Sequence, residues 1–141
     1  MNPAQLEARR WFRQAQADLA VVHTLKSAGH YAATCFHSQQ AAEKALKAVL
    51  YSQGNRVVVG HSVRELVKRC DVYDPVFANL TSDAALLDQF YIPTRYPNGL
   101  PSPAIPDETY TVVEAEAAQA ATERVFASVE TFLKNHTQVL Q

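Results

Sequence analysis

Proline placement constrains this chain more than any other feature. Five of its seven prolines lie between Pro93 and Pro106, and the other two are Pro3 and Pro75. Proline lacks a backbone donor and clashes with the preceding turn, so helix interiors exclude it. Two proline-free windows remain, residues 4–74 and 107–141. Alanine, the strongest helix former, occurs 22 times, and alternating runs of β-branched and aromatic residues are nearly absent. Val57-Val58-Val59 is the one strand-like run. It is bounded by Gly54 and Gly60 and reads as an extended connector. An all-α fold follows.

Apolar spacing divides the windows. Phe12, Ala15, Leu19 and Val22 recur at helical intervals and predict a first helix over 4–27, stopped at Gly29. A second helix is predicted over 31–53, ending at Gly54. A short third follows His61, with Ser62 as N-cap and Glu65 in the capping-box position. Asp74-Pro75 is an N-cap followed by proline, and predicts a fourth helix reaching almost to Pro93. The last helix is predicted over 111–135. The sum is an up-and-down four-helix bundle with one additional short helix and a proline-rich loop over about 91–110.

At 141 residues, one domain over 1–141 is expected. Thirteen basic and fourteen acidic residues argue against a protein that coats nucleic acid or anionic lipid, without excluding a local basic site. The polar, arginine-rich start has no secretory pattern, and no apolar run is long enough to span a bilayer. Cys35 and Cys70 lie in apolar-periodic segments and read as buried thiols of a reducing compartment, which makes a cytoplasmic location the expectation.

Two segments carry more polar chemistry than a bundle requires. In the second helix, Gln39 falls on the apolar stripe and must find partners, as a core or dimer-interface amide. Glu43 and Lys47 form an i,i+4 pair. Lys44 and Lys47 read either as a solvated charged face or as cations that bind phosphate. In the second segment, Tyr91, Arg95 and Tyr96 combine aromatic faces with a guanidinium, a set suited to stacking a base and clamping a phosphate. The competing reading packs the tyrosines and pairs Arg95 with a carboxylate such as Asp88. His23, His30 and His37 are seven residues apart and lack ligand spacing, so neither metal nor cofactor is expected. No phosphate-cradling glycine loop and no nucleophile elbow are present.

Trp11 to Asp18, Gln39-Gln40-Ala41-Ala42-Glu43-Lys44-Ala45-Leu46-Lys47-Ala48, His61 to Leu66, and Tyr91-Ile92-Pro93-Thr94-Arg95-Tyr96-Pro97 together resemble the HEPN family (higher eukaryotes and prokaryotes nucleotide-binding domain). The resemblance covers about residues 10–135. It implies a helical bundle that forms a homodimer. It also implies a nucleotide-binding module, often paired with a minimal nucleotidyltransferase in a prokaryotic toxin–antitoxin system. Carried onto this sequence, the family pattern falls on Asp18, Gln39, Gln40, Glu43, Lys44, Lys47, His61, Tyr91, Arg95, Tyr96 and Pro97. Of these, Gln40, Lys44, Lys47, Tyr91, Arg95 and Tyr96 are the candidate ligands of a purine nucleotide or RNA. Some members of the wider superfamily are metal-independent ribonucleases whose signature is Arg, four to six residues, then His. Arg56 and His61 meet that spacing, but in a connector rather than at the start of the last long helix. They are the catalytic candidates. A toxin-type ribonuclease, or a dimeric interaction bundle without ligand, is the alternative.

Overall fold

The structure is a computed structural model that describes residues 1–141. It is all-helical: α1 Pro3–Ser27, α2 Tyr31–Ser52, α3 Val63–Asp71, α4 Thr81–Asp88, α5 Pro106–Thr109 and α6 Val112–His136. The valine run 57–59 is an extended connector without strand pairing, as expected.

Local chemistry sets the long elements. Asn2 caps α1 by accepting from the Gln5 N–H, ahead of Pro3 in the first turn. Gly29 then takes a φ of +83°, which a glycine adopts without strain, and α2 begins two residues later. So short a joint turns α2 back antiparallel to α1. Thr111 caps α6 in a reciprocal capping box with Glu114. Hydrogen bonding from the Thr111 hydroxyl holds the Glu114 carboxyl below its ordinary value.

α2 is the central helix, and 15 of its 22 residues are buried. It packs against α1, α3 and α6. Alanines at the contacts, among them Ala8, Ala15, Ala41, Ala45, Ala118 and Ala121, are fully buried and let the backbones approach closely. Phe12 meets Phe126 at 5.9 Å, and Phe77 meets Phe132 at 5.7 Å. Cys35 and Cys70 are buried free thiols. Burial pushes each up to about 12.

Three local expectations need correction. The fourth helix is not continuous. A 3-10 segment over Pro75–Leu80 precedes α4, and the chain leaves the helix after Asp88. Three residues per turn place Phe77 and Leu80 on one line, and both are buried. The proline-rich loop is not featureless, since it carries a 3-10 turn at Pro97–Gly99 and the short α5. A Cβ on Gly99 would lie 3.0 Å from Pro93 Cα, so the Asn98-Gly99 turn closes the loop against its own start. The capping box at α3 is only half formed. Ser62 Oγ accepts from the Glu65 N–H, but the Glu65 side chain pairs with Lys68. The carboxylate that completes the cap comes from Asp88.

Candidate functional site

α2 carries one side of the site. Gln39 is fully buried, and both ends of its amide are used. Its Nε2 donates to the His61 carbonyl at 2.8 Å, and its Oε1 accepts from Gln40 Nε2 at 2.8 Å. One turn on, the Glu43 side chain is 5 % exposed and that of Lys47 6 %. The expected i,i+4 pair is present, with Nζ 3.7 Å from Oε2, but it lies inside the protein rather than on a solvated face. The Lys47 ammonium sits 5.3 Å from the Trp11 ring centroid, and Trp11 stacks on Tyr51. Lys44 turns to α1 and pairs with Asp18 at 2.5 Å. Gln14 donates to the other Asp18 oxygen.

The Tyr91–Pro97 segment carries the other side. Thr94 is buried and anchors the turn by donating to the Phe90 carbonyl at 2.5 Å. Arg95 Nε donates back to the Tyr91 carbonyl at 2.8 Å. The guanidinium carbon then lies 4.4 Å from the Phe36 centroid, 4.7 Å from Tyr91 and 5.1 Å from Tyr96. Arg95 is exposed and pairs with no carboxylate. Its expected competitor, Asp88, is committed elsewhere. That carboxylate accepts from Ser62 Oγ at 2.9 Å, Val63 N–H at 2.6 Å and Arg64 N–H at 3.2 Å. It is an N-terminal cap for α3 supplied from the end of α4.

This tie holds His61 beside Tyr91. The two rings stack at 4.8 Å with an interplanar angle of 18°. His61 Nδ1 lies 2.9 Å from Glu43 Oε1, while its side chain remains 59 % exposed. Glu43 therefore joins the two sides, with Lys47 on one oxygen and His61 on the other.

The predicted ligands are thus only partly brought together. Tyr91, Arg95 and Tyr96 form one aromatic–cation shelf. Lys44 and Lys47 face α1 instead of that shelf, and the Gln40 amide bonds Gln39. Arg56 is exposed in the connector and has no bond to His61. Phe36, Glu43 as the partner of His61, and Asp88 as a cap were not assigned these roles from sequence. Phe36 stands one helical turn before Gln40, the single signal that could have placed it under Arg95.

Two open grooves flank these groups. One, of about 600 Å³, is lined by Phe36, His37, Thr94, Arg95, Ile105 and Pro106 among others. Burial lowers the His37 pKa, with Asp18 opposing that shift and Lys44 adding to it. The other groove, of about 640 Å³, is lined by Arg10, Trp11, Arg13, Gln14 and Lys44. No three His, Cys, Asp or Glu side chains cluster where they could hold a metal ion. No helix is long and apolar enough to cross a membrane.

Comparison with known proteins agrees with this architecture. The HEPN domain family matches over residues 8–132. A relative from Methanocaldococcus jannaschii, named "Putative toxin MJ1304", is 31% identical over 134 residues, covering 90% of this chain and 88% of its own. The crystal structure of TT1696 from Thermus thermophilus is 38% identical with a TM-score of 0.80, over 88% of this chain and 96% of that one. That of ST0689, an archaeal HEPN homologue, is 35% identical with a TM-score of 0.72, over 88% and 95%.

Proposed function

The chain belongs to the HEPN domain family, and on that footing we propose that it is a nucleotide-binding HEPN module of a prokaryotic toxin–antitoxin pair. One observation carries the binding assignment. The Arg95 guanidinium is exposed, free of any carboxylate, and held over three aromatic rings at the edge of a groove of about 600 Å³. A guanidinium so placed offers a fork of donors to a phosphate, and the adjoining rings offer faces to a base. Tyr91 and Tyr96 serve as the stacking surface and Arg95 as the phosphate clamp. Gln40 extends the polar edge from α2, whereas Lys44, paired with Asp18, belongs to the other groove. Lys47 supports the site from within, as the buried partner of Glu43. The toxin name borne by the archaeal relative supports the paired role. The module acts as a homodimer in the cytoplasm, where its two thiols stay reduced, and its protein partner is a minimal nucleotidyltransferase.

Isothermal titration with ATP and GTP tests the binding assignment. Hydrogen bonds to charged groups contribute about 1.5–3 kcal/mol, so Arg95→Ala is expected to weaken binding about 10- to 150-fold. No heat with either nucleotide on the unaltered protein, or equal affinity in Arg95→Ala, overturns it. Co-purification with a nucleotidyltransferase tests the partner separately.

Metal-independent RNA cleavage is the second reading. It is favoured by the exposed His61 ring standing on Tyr91, which also lies beneath Arg95. Cleavage in the presence of a chelator, abolished by His61→Ala, is its expected signature.

A further inference from the structure

We propose that Glu43 is a positioning residue that fixes His61 in the tautomer protonated at Nδ1, so that its bare Nε2 accepts a hydrogen bond from a hydroxyl of a phosphate-bearing ligand held at Arg95. The ligand half of this inference rests on the nucleotide-binding reading. The tautomer half stands on the geometry alone.

An ionised carboxylate offers only acceptors. The ring nitrogen that faces Glu43 Oε1 at 2.9 Å must therefore carry the hydrogen. In a neutral imidazole the other nitrogen is then bare. Nδ1 is spent on Glu43 and Nε2 has no partner in the protein, although the side chain is 59 % exposed. Stacking on Tyr91 at 4.8 Å and 18° fixes the plane of the ring. The same Tyr91 ring lies 4.7 Å from the Arg95 guanidinium, so acceptor nitrogen and phosphate clamp share one platform.

The burial behind Glu43 points the same way. Its second oxygen faces Lys47, whose ammonium rests near Trp11. A buried ion pair is a poor way to gain stability, because desolvation offsets its attraction. It is an effective way to hold a carboxylate at one place with one charge. The bare Nε2 then accepts a hydrogen bond from the ligand O–H while Nδ1–H remains donated to Glu43, and no covalent bond is made or broken.

The test is a long-range proton–nitrogen correlation spectrum of the full ¹⁵N-labelled chain at about pH 8. His61 is expected to show a protonated Nδ1 and an unprotonated Nε2. Glu43→Gln, checked for folding by circular dichroism, is expected to give a mixture of both tautomers, since an amide can accept from Nδ1–H or donate to bare Nδ1. Addition of adenosine 5′-monophosphate is expected to shift the His61 Nε2 signal in the wild type. In Arg95→Ala that shift should disappear while the tautomer stays unchanged. A His61 protonated at Nε2 overturns the role of Glu43 and leaves nucleotide binding untouched. The expected tautomer with no nucleotide-dependent shift overturns the ligand assignment. A tautomer unaltered in Glu43→Gln shows that the carboxylate does not set it.

Discussion

Lys47→Met isolates the buried ion pair. Methionine keeps an unbranched stem against Trp11 and removes the ammonium. Glu43 then retains His61 as its one charged or polar partner, with its side chain only 5 % exposed. Removing one member of a buried pair costs about 3–5 kcal/mol, because the other charge is left uncompensated. The 3.7 Å separation and the surviving His61 contact place this case at the lower end, at about 3 kcal/mol. With a urea dependence of about 2 kcal/mol per molar, the unfolding midpoint should fall by about 1.5 M. The double variant Glu43→Gln/Lys47→Met removes both charges and should return to within about 1 kcal/mol of the wild type, as replaced buried pairs commonly do. Equilibrium urea unfolding followed by circular dichroism measures all three proteins. A midpoint shift below about 0.3 M for Lys47→Met would refute the reasoning, because it would mean that Glu43 is solvated or has another counter-charge.

Asp88→Ala should cost about 2 kcal/mol in the same assay, since one carboxylate accepts three bonds at the start of α3. Arg95→Ala should cost about 1 kcal/mol, the loss of an exposed cation–π stack and one bond to the Tyr91 carbonyl, so the variant stays folded and a larger loss of ligand binding is not a loss of folding. Cys35 and Cys70, both pushed up to about 12 by burial, should resist Ellman's reagent in the native protein and react fully in urea; rapid native reaction of either one contradicts its burial. Burial lowers His37 below its ordinary 6.5, so the unfolded chain binds the proton more readily. Its contribution is therefore complete above 6.5 and is lost as the pH falls toward the lowered folded value. His37→Gln should flatten the stability profile in that window.

Much of the architecture was written in the chain itself. Proline exclusion, alanine content and apolar spacing placed α1, α2 and α6 within a residue or two of their observed ends, and the start of α3, because helix formation answers to near neighbours along the chain. The same local rules also identified Ser62 and Gly29 as boundaries and Gln39 as a buried amide that needed partners. They failed where local and tertiary demands parted. Proline at the start of Pro75–Leu80 promised an ordinary α-helix, but the segment is a 3-10 turn that buries Phe77 and Leu80.

At the site, residue types were legible and their partners were not. Glu43 and Lys47 read as an i,i+4 pair on any helix surface. Only the approach of Trp11 from α1 and His61 from the connector turned that pair into a buried one. Asp88 stood beside Arg95 in sequence and looked like its counter-ion, yet the packing of α4 against α3 delivered the carboxylate to a helix end 24 to 26 residues away and left Arg95 free. Sequence pattern determined which elements form and which faces turn inward, since both follow from helical geometry over a few residues. Tertiary packing decided which charges are paired, because a hydrogen bond or ion pair depends on distances of a few ångströms between segments that the sequence holds far apart.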